Sequence, residues 1–303
     1  MGASAVWLPD GKRLHFQHGP IDLIIEASGS LDSVDLAYRQ AWKRFQTVLE
    51  ELAEELPRLR TLCPPEGLGL TGTVARRMER ASQPHAGHGV TAMVAVAGAV
   101  ADEILEAMLS ASDLDRAYVN NGGDIAVHLG EGERFEIAVV GTPAAPIRLG
   151  NIGLRAGDPA GIATSGRHGR SFSLGIADSV TVLAENAAAA DAAATLIANA
   201  VDLPESPLVK RVAARDLEPE SDLGDRLVTV DVQALSPGDV RRALASGADL
   251  AQTFLGERTI AAALLCLDDG IETVGDWPGE GCTIEFSRAK ALGPPRQADL
   301  RPL

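Results

Sequence analysis

Residues 90–109 constrain the fold more than any other stretch. They form an apolar run crowded with small side chains, among them Ala92, Ala95, Ala97, Gly98, Ala99 and Ala101. A helix that is apolar on more than one face must be enclosed on all sides, and small residues let neighbouring backbones approach it closely. The chain must therefore build a core thick enough to surround a helix. Its composition allows this: 46% of the 303 residues are hydrophobic, but only 4% are aromatic, so the core has to be made of Ala, Val, Leu and Ile. That length accommodates one large α/β domain or two intertwined lobes.

Around this helix the pattern predicts a mixture of elements. Alternation over 13–17 and 21–26, with His18-Gly19-Pro20 between, predicts a hairpin. Leu36, Trp42, Phe45, Val48, Leu49 and Leu52 recur at helical spacing, predicting a helix over 33–56 that ends at Pro57. Residues 62–70 read as a Pro/Gly loop and 74–80 as a short helix. Short strands are predicted at 117–119, 125–129, 134–139, 152–154 and 180–184, with turns marked by Asn-Gly, Gly-Gly and Gly-Glu-Gly. An Ala-rich helix follows over 187–200, with Asn186 as its N-cap. A strand (227–232), a helix (237–254, with Pro237 near its start) and a strand (259–267) complete the pattern. Hairpins mixed with helices, without a regular βαβ rhythm, predict an α+β fold. The acidic, Pro-bearing stretch 204–225 reads as an exposed connection or lobe boundary, and 289–303 as a loose tail to a single domain spanning 1–303.

The formal net charge is −15, and no Lys/Arg cluster is dense enough to replace the counterions of a nucleic acid, so nucleic-acid binding is not expected. No stretch reaches membrane-spanning length and the first residues lack the pattern of a leader, so no membrane association is expected either. Cys63, Cys266 and Cys282 show neither CxxC pairing nor zinc-ligand spacing. Such sparse cysteines fit a reducing compartment, and a cytoplasmic protein is expected. A homodimer is compatible with the buried small-residue helix, though nothing in the sequence demands one.

Three segments could carry chemistry. In Tyr118-Val119-Asn120-Asn121-Gly122-Gly123-Asp124-Ile125 a strand enters and leaves a diglycine, and Asn120, Asn121 and Asp124 gather polar groups where backbone can approach a ligand. The plainer alternative is a hairpin whose Asn-Gly turn needs positive φ. In 161–170, Thr164, Ser165, Gly166, Arg167 and His168 combine hydroxyls, backbone N–H groups and a guanidinium fork, the donors that an anionic phosphate or carboxylate requires. The alternative there is a solvated loop. In the Ala-rich helix, Asp191 and Thr195 are i and i+4, so both oxygens share a face lined by methyl groups. A carboxylate buried on such a face needs a partner, and Mg²⁺ or Ca²⁺ would supply it; an exposed face would simply solvate it. Gly67-Leu68-Gly69-Leu70-Thr71-Gly72 satisfies G-x-G-x-x-G but follows no strand, which argues against a dinucleotide fingerprint. His85 and His88 lack a third metal ligand nearby in sequence.

In order, these segments resemble the ApbE superfamily: Val119-Asn120-Asn121-Gly122-Gly123-Asp124-Ile125 is similar to its GGDI turn, Thr164-Ser165-Gly166 to its TSG loop, and Ser179-Val180-Thr181-Val182 with Ala190-Asp191 and Thr195 to its SVTV strand and ADALAT helix. His88 to Ala101 and the run from Gly161 to Val182 resemble the UPF0280 branch in particular. The resemblance covers roughly residues 85–200 and implies an ApbE-type, T-fold-like arrangement of β-sheet layers packed with helices. It further implies a pocket at Asn121, Gly122, Gly123, Asp124, Thr164, Ser165 and Gly166, with Asp191 and Thr195 as ligands of a divalent cation, Mg²⁺. ApbE proteins transfer FMN from FAD to a Ser or Thr of a target. Where those transferases carry a His followed by Asp-Pro and Gly, Ser173-Leu174-Gly175-Ile176-Ala177-Asp178 stands here, which removes groups that position and stabilise such a transfer. The expectation is a pocket for a phosphate-bearing, nucleotide- or flavin-type small molecule in cofactor or sulfur (homocysteine-type) metabolism. The alternatives are a non-catalytic ligand-binding or partner protein on the transferase scaffold, and a persulfide carrier using Cys63.

Overall fold

A computed structural model describes residues 2–140, 148–278 and 301–302. The predicted hairpin forms from β2 (Leu14–His18) and β3 (Ile21–Gly29), with Leu14 opposite Ile25 and His18 opposite Ile21, and a strand that the sequence did not announce, β1 (Ser4–Trp7), lies alongside β2. The long helix α1 (Leu31–Leu59) opens on Ser30, whose side chain accepts the Ser33 N–H at 3.2 Å. It does not stop at Pro57, because in the last turn the missing N–H forfeits one hydrogen bond and the following residues still close theirs: the Arg60 N–H reaches the Leu56 carbonyl at 3.1 Å.

After α2 (Thr73–Ser82) the predicted helix over 90–109 begins late. Residues Ala92–Ala95 make a tight 3₁₀ turn, with the Thr91 hydroxyl accepting the Met93 N–H, and only then does α3 (Val96–Leu109) start. β4 (Leu114–Asn121) and β5 (Asp124–Leu129) flank the diglycine turn, and β6 (Arg134–Val140) pairs with β7 (Arg148–Arg155). Gly161–Ser165, where no strand was predicted, is strand β8, running between β5 and β9 (Ser179–Ala184). Helix α4 (Ala187–Ala200) begins where predicted, and the Asn186 side chain accepts the Ala189 N–H at 2.9 Å.

Within the acidic stretch β10 (Val209–Ala213) runs into the single-turn α5 (Ala214–Leu217), and β11 (Leu227–Val232) returns against β10. Helix α6 (Pro237–Gly256), closed by a Ser236–Asp239 capping box, leads to β12 (Ala262–Leu267) and β13 (Gly270–Gly275). Of the expected loose tail, residues 289–300 and 303 lie outside the described residues, as does Cys282; Arg301–Pro302 form β14 against β1.

Ten of the strands join in one antiparallel sheet ordered β13-β12-β9-β8-β5-β4-β3-β2-β1-β14, and β6–β7 and β10–β11 each pair separately. Helices α1, α3, α4 and α6 line one face in that sequence, from β2–β3 across to β12–β13. The opposite face is covered by the β6–β7 hairpin, where Val139, Ile152 and Leu154 meet Val127, Ile162, Leu183 and Leu264. Successive strand residues serve opposite faces: Val180, Val182 and Ala184 belong to the helix-side core, Leu183 to the hairpin-side core. The small residues of α3 have a mechanical reason. Gly98 lies so close to the start of α4 that an added Cβ would stand 2.7 Å from the Ala188 nitrogen, and closer still to the Ala187 carbonyl. No helix among the described residues is long and apolar enough to cross a membrane.

Candidate functional site

The antiparallel pairing brings the three sequence segments together. A cavity of 370 Å³ opens between the ends of β4, β5 and β8 and the helices α3 and α4. Asn121, Gly122 and Asp124 at the β4–β5 turn, Thr164 and Ser165 from β8 with Gly166 just after it, and Asp191 and Thr195 from α4 all line it. The turn is held by the Asn120 side chain, which accepts the Gly123 N–H at 2.8 Å, and Gly122 and Gly123 both adopt positive φ, as such a turn demands. Asn121 is buried and donates to the Ala97 carbonyl of α3 at 3.1 Å.

Alternation splits the polar residues between two compartments. Asn120 and Gly123 line a second cavity of 290 Å³ under the β6–β7 hairpin, walled by Ile125, Ile137, Val139 and Ile162. Gly122, Thr164, Ser165, Gly166 and Gly169 border both. One compartment is therefore acidic and the other largely apolar, separated by a rim of glycines and hydroxyls.

The first compartment is electrostatically frustrated. Asp191 is buried and its Oδ2 accepts the Gly98 N–H at 3.0 Å. Loss of solvent, and then the neighbouring Asp124 charge, push the Asp191 carboxyl well above the usual carboxylate range. Burial pushes Asp124 up to about 7, opposed by hydrogen bonding at Thr164 and by the Arg170 charge. Asp102 of α3, pushed up to about 6 by burial, accepts the Ala187 and Ala188 N–H groups at 3.0 and 2.9 Å and so caps α4 from outside the helix. Two carboxylates facing one cavity have the donor chemistry of a hard divalent cation, with Thr195 as a further oxygen. Among the described residues no three His, Cys, Asp or Glu side chains gather into a metal cage. One or two carboxylates completed by water and ligand phosphate is the coordination habit of Mg²⁺.

Arg167 and His168, predicted as ligand-binding, are not among the lining residues. Arg167 donates to Asp178 Oδ1 from Nε at 2.9 Å and from Nη2 at 2.7 Å, and the His168 ring nitrogen lies 3.1 Å from the same oxygen. They brace the loop after β8. Gly169, Arg170, Ser171 and Phe172 reach the cavity instead. The acidic stretch also contributes: Glu218, Glu220, Ser221, Asp222 and Leu223 form one wall, pinned where the Thr91 hydroxyl donates to Asp222 Oδ2 at 2.8 Å. A polar, Pro-bearing composition gives no sign of that role.

Cys63 sits outside both compartments, buried, 3.2 Å from the Ser82 hydroxyl, and burial pushes its thiol above the usual value. A nucleophilic thiol needs the opposite environment. Native Cys63 is expected to react with iodoacetamide roughly 10-fold or more slowly than in denaturant, followed by mass spectrometry of the 63-containing peptide; equal rates would show that the thiol is available. His85 is likewise buried, its ring 4.4 Å from that of Phe254, and burial lowers its pKa to about 4.

UPF0280 proteins are similar over part of the chain: one from Methanopyrus kandleri is 38% identical over 149 residues, 47% of this chain and 56% of that protein. One from Methanothrix thermoacetophila is 42% identical over 113 residues, 36% and 45% of the two chains. The chain thus spans about half the length of the curated relatives it matches. Among solved structures, the flavinyl transferase ApbE of Pseudomonas stutzeri aligns over 89% of this chain and 94% of its own at 12% identity, with a TM-score of 0.49. The flavin transferase ApbE of Vibrio cholerae aligns over 86% and 96% at 13% identity, with a TM-score of 0.47. The family model described as AbpE bacteria matches residues 5–277, nearly the whole of the sheet and its helices, and it is to this family that the chain belongs.

Proposed function

We propose that the chain binds a phosphate-bearing small molecule of nucleotide or flavin type as its Mg²⁺ complex, in the cavity between the β4–β5 turn, β8 and α4, within cofactor or sulfur metabolism. The observation that carries this reading is the Asp124–Asp191 pair: a half-buried and a buried carboxylate lining one cavity with Thr164, Ser165 and Gly166. A divalent cation relieves the repulsion, and a phosphate completes its coordination. When bound, the cation supplies positive charge to the phosphate oxygens. Thr164, Ser165 and the glycine-rich backbone orient the anion, and the neighbouring apolar compartment suits a planar ring system. The T-fold-like layering, a cytoplasmic setting and a homodimer belong to the same proposal.

The test is thermal. FAD or ADP is expected to raise the unfolding temperature in Mg²⁺ and to have little effect in EDTA, as ligand linkage requires. No change with either nucleotide would remove the reading.

A second reading, a binding protein that does not transfer FMN, is favoured by the segment after the loop. Leu174 and Ile176 spend their N–H groups on Asn199 Oδ1 and the Val201 carbonyl, and the one acid of residues 173–178, Asp178, is held by Arg167 and borders the 290 Å³ compartment instead of the acidic one. Incubation with FAD, Mg²⁺ and a Ser/Thr acceptor peptide separates the two, since flavinylated peptide would exclude the binding-only reading.

A further inference from the structure

The acidic compartment has two guanidinium groups on its walls, and they are differently engaged. Arg60, at the end of α1, leans towards Glu220 at 4.0 Å. Arg170 is exposed and makes no hydrogen bond or ion pair with any described side chain, although it lines the same cavity as Asp124. Its position is prepared by the turn. The guanidinium rests against Gly122, where an added Cβ would stand 2.9 Å from Cζ and 3.2 Å from Nε, so the absence of a side chain at 122 is what admits it. Three residues away, Arg167 is spent on Asp178. The loop thus holds one arginine that anchors it and one that is free at the cavity mouth.

We propose that Arg170 is the residue that recognises the anionic end of the ligand, a phosphate or diphosphate, and that before the ligand arrives it serves as the counter-charge to Asp124. This rests on the reading of the cavity as a Mg²⁺–phosphate site. The exchange is a swap of partners: a cation arriving at the carboxylates displaces the guanidinium, which turns its planar fork to the phosphate oxygens it matches in geometry. The wall otherwise carries Asp124, Asp191, Glu218, Glu220 and Asp222 against Arg60, which leans to Glu220, so an anion entering without Arg170 and the cation would meet a net negative surface.

The experiment compares the parent chain with Arg170→Gln in two titrations, Mn²⁺ alone and inorganic pyrophosphate in the presence of Mg²⁺, both by calorimetry. Arg170→Gln is expected to weaken pyrophosphate binding about 10-fold or more, while Mn²⁺ binds equally or more tightly. Unchanged pyrophosphate affinity would overturn the recognition role, and weaker Mn²⁺ binding would overturn the counter-charge role. If the parent chain itself shows no Mg²⁺-dependent pyrophosphate binding, the reading of the cavity fails. Tighter Mn²⁺ binding by the variant would then still support the partnership of Arg170 with Asp124.

Discussion

Asp191→Asn should make the metal-free protein more stable at neutral pH while abolishing its Mg²⁺-dependent ligand binding. The carboxyl is raised in the folded state by burial and by Asp124, so the folded chain holds that proton more tightly than the unfolded chain does. A raised folded pKa gives stability that is complete below the ordinary carboxylate value and is lost as pH climbs through the folded one. Asp124, from 3.8 to about 7, and Asp102, from 3.8 to about 6, act in the same direction, so metal-free stability should fall between about pH 4 and 7. The Asn amide oxygen can still accept the Gly98 N–H, and it removes one charge from the group. The gain should appear at pH 7.5 and shrink at pH 5, where the parent carboxyl already holds more of its proton. Thermal unfolding at pH 5 and pH 7.5, with Mg²⁺ and with EDTA, reads both effects. A variant less stable than its parent at pH 7.5 without metal would show that the carboxylates do not oppose one another.

The second large effect is mechanical. Gly98→Ala should cost about 3 kcal/mol, because the new methyl meets backbone rather than a side chain that can swing away. It would force α3 from α4 at the point where Gly98 also donates to Asp191. The unfolding temperature should fall by roughly 5–10 °C. Gly87→Ala is the control, since nothing lies within 4 Å of a Cβ there, and its effect should stay within about 0.5 kcal/mol. Similar losses at the two positions would mean that helix contact is not what the small residues provide.

Much of the frame was legible because local chemistry determined it. Asn186 marked the start of α4, and the His18-Gly19-Pro20 turn marked the β2–β3 hairpin. Strand β8 was not legible: Gly-Ile-Ala-Thr-Ser carries weak strand propensity, and its extended form is imposed by β5 and β9 on either side. The diglycine turn, Thr164–Ser165–Gly166 and the Asp191–Thr195 face could be picked out by residue type, and folding gathers them around one cavity. The choice between Arg167 and Arg170 could not be read in advance, because it depends on Asp178, eleven positions beyond Arg167, which folding brings against the loop. The wall from Glu218 to Leu223 was hidden for a related reason: a charged segment looks the same whether it faces bulk solvent or a wet cavity.

The β4–β5 turn has a consequence for how such a site can change over time. Asn120 and Asn121 are chain neighbours, yet they furnish separate rooms, and only the phase of the strand decides which room each furnishes. A one-residue slip of β5 against β4 would turn Asp124 away from Asp191 and Thr195, and would drive Val127 out of the hairpin-side core and Ala126 out of the helix-side core at the same time. The length of that turn is therefore what keeps the carboxylate on the helix side.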